Sequence, residues 1–253
     1  MKRGSNFLML ALVLAALMFS SAQSGRAAVA QKMAVPAYFY PISYWPQLED
    51  AAPIVGLAIM NPASGPGTTV DPTYVSVIQS AQASGVTIIG YVTSSYGTRP
   101  LATVKAEIGK YIRWYHVDGI FIDEASNDCA KRSYYKNLYN SIKARDAQLQ
   151  VVINPGTNTQ ECFMAATDIV INFENTYAVY RAWSPSGWES KYPASRFWHI
   201  VYGANEAQMQ RAITLSKQRN AGWVYVTNDV LVNPWDTLPA DPYWTNELNR
   251  INK

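Results

Sequence analysis

The sequence predicts a single α/β domain closed as a (β/α)8 barrel, the TIM-barrel architecture. Three observations carry this expectation. Eight short runs rich in β-branched and aromatic residues recur along the chain, separated by longer stretches, most with a helical period. Most of these runs are continuously apolar and do not alternate, as in strands of a parallel sheet covered on both faces. No linker, low-complexity stretch or internal repeat interrupts them, and eight unbroken strand–helix units favour closure over an open sheet.

Residues 1–30 stand outside that pattern. Lys2 and Arg3 precede an apolar run from Phe7 to Phe19, and small residues follow at Ser20–Ala22 and Ala28–Ala30. A basic start, an apolar stretch and a small-residue exit describe a secretory signal peptide. The run is shorter than the roughly 20 apolar residues that span a bilayer. Cleavage is expected after Ala22 or Ala30. That leaves 31–253 as a secreted catalytic domain, extracellular or periplasmic, monomeric and with no stable membrane insertion. The formal charge is +3, from 21 Lys+Arg and 18 Asp+Glu. Lys2, Arg3 and Arg26 all fall in the leader, which holds no acid, so the chain from Gln31 onward carries 18 of each sign. No basic patch or stripe remains to serve as a nucleic-acid footprint.

The strands are expected at Val35–Tyr40, Ile54–Asn61, Val86–Thr93, Val117–Asp123, Leu149–Asn154, Asp168–Glu174, Phe197–Tyr202 and Trp223–Asn228. Asp71 followed by Pro72 reads as an N-cap with proline at the first helical position, opening a helix to Ser84 that Gly85 stops. Leu101–Trp114 carries apolar residues at 101, 104, 108, 111 and 112, a helical period. Ser133–Arg145, Ala207–Arg219 and Pro242–Ile251 read as further helices. The first strand is followed by Pro41–Trp45 without a glycine, against the Gly-rich turn of a dinucleotide-binding open sheet.

Active sites of such barrels lie at the C-terminal strand ends. Read there, the chain offers Tyr38 and Tyr40, Asn61, Tyr91 and Thr93, Asp123 and Glu124, Asn154, Glu174 and Asn175, Tyr202, and Thr227, Asn228 and Asp229. No Lys, Arg or His ends a strand. Amides, carboxylates and tyrosines suit a hydroxyl-rich ligand. Glycosidic cleavage needs two carboxyl groups flanking one bond, one protonating the leaving oxygen and the other attacking carbon or activating water. Asp123, Glu124 and Glu174 are the candidates, and Tyr38, Tyr40, Asn61, Tyr91, Asn154, Tyr202, Asn228 and Asp229 the candidate substrate contacts. Tyr44, Trp45, Tyr96, Trp183, Trp188, Trp235 and Tyr243 fall in predicted loops, where aromatic rings either stack on sugars or pack the rim.

Other chemistries fit poorly. His116 precedes the fourth strand and His199 lies inside the seventh, so both read as structural. There is no G-x-S-x-G elbow and no H-E-x-x-H pair. Asn61–Gly67 is Gly-rich but lacks the Lys-Ser/Thr ending of a phosphate loop. Asp123, Glu124 and Asp128 are weighed as ligands for a hard cation, but neither metal nor cofactor is expected. Cys129 lies six residues past Asp123 and Cys162 eight past Asn154, in loops after neighbouring strands, so a disulfide is expected between them.

Val35-Pro-Ala-Tyr-Phe-Tyr-Pro41, Val117-Asp-Gly-Ile-Phe-Ile-Asp-Glu124, Asn154-Pro-Gly156 and Asn172-Phe-Glu174 together resemble the spherulin-4 family (spherulation-specific family 4), from about Ala34 to the last helix. The resemblance implies a (β/α)8 glycoside hydrolase, endo-acting on α-1,4-linked N-acetylgalactosamine in galactosaminogalactan, an exopolysaccharide of fungal biofilms. It also implies that Asp123, Glu124 and Glu174 match the family's active-site acids. The competing expectation is a non-catalytic carbohydrate-binding, spore-coat or cell-surface protein on the same barrel, against which the presence of all three acids argues. Asp118–Glu124 is also similar to the D-G-x-D-x-D-x-E strand of chitinase-like barrels. Here, however, Phe121 replaces an Asp and Ala125 stands at the final acid position.

The roles expected from the residues are Glu174 as acid and Asp123 as nucleophile or base, with Glu124 in support. Adjacent residues of a strand point to opposite faces, so Asp123 and Glu124 both reach the mouth only if the strand ends between them. A carboxyl separation near 5–5.5 Å means retention and about 6.5–9.5 Å inversion; the sequence leaves that choice open.

Overall fold

The computed structural model describes residues 31–253, so the expected signal peptide and its cleavage lie outside the described residues. Eight parallel strands close into a barrel in chain order. They are β1 (Lys32–Ala37), β2 (Val55–Met60), β3 (Thr87–Thr93), β4 (Gly119–Asp123), β5 (Gln150–Ile153), β6 (Ile169–Thr176), β7 (Phe197–Tyr202) and β8 (Trp223–Val226). Each overlaps a predicted run, but β1 starts and ends three residues before the expected Val35–Tyr40, which puts Tyr38 and Tyr40 past its end. The helices are α1 (Trp45–Asp50), α2 (Pro72–Ala83), α3 (Leu101–Tyr115), α4 (Arg132–Lys143), α5 (Tyr177–Tyr180), α6 (Glu206–Gln218) and α7 (Tyr243–Ile251).

The expected eight strand–helix units are not all present. The crossover from β5 to β6 holds a 3-10 turn, Glu161–Ala165, in place of an α-helix, and α5 is a single turn. The segment after β5 opens with Asn154-Pro155-Gly156 and runs through Thr and Asn, which favour turns over helix. A disulfide fixes it from outside: Cys129 and Cys162 are bonded, with Cα atoms 6.1 Å apart. That bridge ties the loop after β4 to the loop after β5, as the spacing predicts.

Close packing explains several local choices. At Gly119 an added Cβ would come within 2.4 Å of the Gln150 carbonyl oxygen, so β4 and β5 pair only with glycine there. Gly90 lets the Tyr111 ring of α3 lie on β3. Inside the barrel, the Phe121 ring sits 5.7 Å from that of Tyr91 and 6.4 Å from that of Trp198. Asp71 caps α2 through the Thr73 N–H at 2.8 Å, with Pro72 at the first helical position. His116 terminates α3 in the left-handed region. His199 is fully buried and its Nδ1 pairs with the Tyr180 hydroxyl at 2.7 Å. Burial, and then the Arg219 charge, push its pKa down to about 3, so it stays neutral. Both histidines are structural, as expected.

The closing seam of the barrel is short. β1 and β8 register at Lys32–Trp223 and Met33–Val224. Above that point, side chain and loop take over. Val226 N–H donates to Glu247 Oε1 on α7 at 2.9 Å, and Tyr38 N–H donates to the Trp235 carbonyl at 3.1 Å. No helix among the described residues is long and apolar enough to cross a membrane.

Candidate active site

β4, β5 and β6 end side by side at the C-terminal mouth, and each delivers one polar residue to the same point. Asn154, immediately after β5, is buried with 6 % exposure. Its Nδ2 donates to Asp123 Oδ1 at 2.9 Å and to Glu174 Oε2 at 2.6 Å. One amide therefore bridges the two carboxyl groups, and those bonds cap the separation of the bridged oxygens at 5.5 Å. The amide is itself held, because Asn154 Oδ1 accepts from Gly156 N–H at 2.8 Å. The backbone bonds on both sides, Asn154 N–H to the Ile122 carbonyl and Ala125 N–H to the Asn154 carbonyl, lock the strand ends together.

Three tyrosines surround the pair. The Tyr91 hydroxyl bonds Asp123, and the Tyr38 ring meets the Tyr91 ring edge-on at 5.6 Å. Tyr202, on β7, packs edge-on against Trp235 at 5.9 Å. Burial, and then the Asp123 charge, hold the Tyr38 hydroxyl far above its ordinary pKa; burial and then Glu174 raise that of Tyr202.

Burial raises both carboxyl groups. Burial first, and then the neighbouring Asp123 charge, push Glu174 up to about 7 against the Asn154 bond. Burial also raises Asp123, opposed by bonds from Glu124 N–H, Tyr91 and Asn154. Between the two titrations one group is a proton donor and the other an anion, the division that acid–nucleophile chemistry requires.

Glu124 lies beyond the strand end. Its φ of +48° turns the chain out of β4, so the condition for Asp123 and Glu124 both to serve the mouth is met. Its exposed carboxylate accepts from Thr93 Oγ1 at 2.5 Å and Ser95 Oγ at 3.3 Å.

The remaining candidates sit elsewhere. The Tyr40 hydroxyl reaches outward to Asp71 Oδ2 at 3.1 Å, at the start of α2. Asn61 Oδ1 accepts from Gly65 N–H at 3.0 Å and holds the 61–65 turn. Asp229 organises the β8 loop by accepting from Val230 N–H at 2.7 Å and Thr237 Oγ1 at 3.0 Å, and Asn228 is exposed beside it. Asp128 caps the turn at Cys129–Lys131 through Ala130 N–H at 2.9 Å, which takes it away from a cation set with Asp123 and Glu124. Among the described residues no group of three or more His, Cys, Asp or Glu gathers as a metal site. Thr93, a strand-end residue, and Ser95 are the contacts that strand-end reading left without a role. A Ser-Ser-Tyr-Gly turn advertises a bend but not the carboxylate it grips.

A closed parallel barrel with a bridged carboxylate pair at its C-terminal mouth defines a class: the architecture on which two-carboxylate glycosidases of this fold are built. The sequence matches spherulation-specific family 4 over residues 32–251, and the chain belongs to that family. It is 34 % identical over 209 residues to Spherulin-4 of Physarum polycephalum, a match covering 78 % of this chain. The chain spans 63 % of that relative's length. Among solved structures, Sph3 of Aspergillus clavatus, determined in complex with GalNAc, superposes with a TM-score of 0.75 at 22 % identity over 88 % of this chain and 98 % of that one. A chitinase from Chromobacterium violaceum superposes at 0.58 with 11 % identity over 87 % and 99 % of the two chains. An O-GlcNAc hydrolase of Thermobaculum terrenum also superposes at 0.58 with 11 % identity, over 89 % and 60 %. These likenesses show the barrel. The departure from the chitinase-like strand is visible in the structure, since Phe121 and Ala125 are each 1 % exposed.

Proposed function

We propose that the chain is a secreted glycoside hydrolase, endo-acting on an α-1,4-linked N-acetylgalactosamine polymer of the galactosaminogalactan kind. One observation carries the reading: a single amide clamps two carboxyl groups that burial raises, Glu174 to about 7. The N-acetylgalactosamine unit is suggested by family membership and by the likeness to a barrel determined with GalNAc. The disulfide accords with export to an oxidising compartment.

In this mechanism Glu174 gives its proton to the glycosidic oxygen as the C–O bond breaks. Asp123, ionised and aligned by Tyr91 and Asn154, attacks the anomeric carbon. Water then displaces Asp123 from the glycosyl intermediate and returns a proton to Glu174. The cap of 5.5 Å on the bridged oxygens supports this retaining route, because an inverting pair leaves room for a water at about 6.5–9.5 Å. The test is to incubate the purified protein with galactosamine-containing polymer, assay new reducing ends, and follow the first-formed anomer by proton NMR. New reducing ends of retained configuration are expected; binding without cleavage would favour the inert carbohydrate-binding protein.

A further inference from the structure

The seven aromatic residues of the predicted loops divide sharply in the structure. Trp45, Trp235 and Tyr243 are buried at 0, 8 and 7 % exposure. Tyr44 packs 5.1 Å from Phe39, Trp183 4.9 Å from Phe173 and Trp188 5.7 Å from Phe197. Tyr96 alone of the seven is left outside, 60 % exposed on the loop after β3.

That loop is held in a conformation side chains disfavour. Ser95, Tyr96 and Gly97 follow one another at φ of +45°, +55° and +73°. For Ser95 and Tyr96 the Cβ crowds the backbone in this region, and such strain persists only where surrounding bonds over-determine it. Here the bonds converge on one residue. Tyr96 N–H donates to the Glu124 carbonyl at 2.6 Å, and Ser94 Oγ donates to the same oxygen at 2.9 Å. Thr93 and Ser95 hydroxyls hold the Glu124 side chain, itself carried on a left-handed backbone. Both strained stretches are therefore bolted to each other, one residue from Asp123.

We propose that Tyr96 and Glu124 form an outer sugar subsite beside the bridged carboxylates. A pyranose ring of the polymer stacks its C–H face on the Tyr96 ring while the Glu124 carboxylate accepts from one of its hydroxyl or amino groups. The pairing of a flat apolar ring with a fixed acceptor matches the two kinds of surface a sugar presents. An exposed tyrosine placed on strained backbone has no packing reason to be there. The subsite rests on the carbohydrate reading above, but not on catalysis.

The test uses the Glu174→Gln chain as a non-hydrolysing parent, with calorimetric binding of N-acetylgalactosamine oligomers of increasing length. Adding Tyr96→Gly removes the ring and relieves the φ of +55°, so the variant is expected to melt no lower than the parent. Its affinity for oligomers should fall roughly tenfold, with the loss absent for the monosaccharide. Tyr96→Phe, which keeps the ring, should bind as the parent does. Unchanged oligomer affinity in Tyr96→Gly overturns the subsite. So does a joint loss of affinity and melting temperature, the signature of a structural residue. A parent that binds no oligomer overturns both this and the carbohydrate reading. Oligomer binding by a native chain that never cleaves overturns hydrolysis and leaves the subsite standing.

Discussion

At the residue scale the proposed chemistry turns on a proton held by a buried carboxyl group. Glu174 is raised from 4.5 to about 7. Between those values the folded chain binds a proton that the unfolded chain does not. Its contribution to stability is therefore complete below about pH 4.5 and is lost as pH rises through about 7. Glu174→Gln is neutral at every pH. It should melt with wild type near pH 4 and above it near pH 8, by on the order of 1–3 kcal/mol. Turnover of the same variant should fall roughly 10²–10⁴-fold, the loss of a general acid. An active Glu174→Gln enzyme would refute its role. The wild-type pH profile should show its alkaline limb near 7, where the acid loses its proton. Asn154 lowers both limbs, because its Nδ2 donates to both carboxyl groups and favours their ionised forms against burial. Asn154→Ala should cut turnover by about 10²-fold and move both limbs to higher pH. Tyr38, Tyr91, Glu124 and Tyr202 also face the pair, remain in place, and keep the profile bell-shaped. A slower enzyme with an unmoved profile would reduce Asn154 to a substrate contact.

At the scale of elements, strand ends and loops carry the site, and the loops need anchoring. The loops after β4 and β5 are joined by Cys129–Cys162 across a sequence separation of 33. In the chain-entropy treatment a closed loop of that size stabilises the fold by about 3–4 kcal/mol as an upper estimate. The Cys129→Ala/Cys162→Ala double variant should lower the denaturation midpoint accordingly and steepen the slope, because the unfolded chain loses its cross-link and exposes more surface; an unmoved midpoint would show that the bridge adds nothing. The missing helix between β5 and β6 belongs here too. A crossover that opens on Asn-Pro-Gly and is stapled at its middle covers the barrel with Phe163 and Met164 from one 3-10 turn.

For the whole molecule, closure of the barrel rests on the β1–β8 seam. Registered pairing stops at Met33–Val224, and Glu247 of α7 supplies the acceptor for Val226 N–H at 2.9 Å. Burial pushes the Glu247 carboxyl well above its ordinary pKa, so it serves as a neutral group. Glu247→Ala leaves a buried N–H without a partner, at a cost of about 1–3 kcal/mol. It should also speed hydrogen exchange at Val226. Glu247→Gln keeps an acceptor and should hold the seam. Equal protection in the alanine variant would show that the seam closes by other means.

The sequence by itself determined the barrel, because eight doubly buried strands must read as apolar runs whatever surrounds them. It also brought Asp123 and Glu174 forward as candidates, because strand ends are where such runs stop. It foretold the disulfide, since neighbouring parallel strands place their following loops side by side. Tertiary structure decided what direction and distance alone can settle. It placed Asn154 between Asp123 and Glu174, sent Tyr40 to Asp71, and spent Asn61 and Asp229 on their own loops. It left Tyr96 exposed while its six companions packed. Residue type states what a side chain is able to bond. Which partner it meets depends on backbone turns such as Glu124 at +48°, set by contacts between strands far apart in the chain.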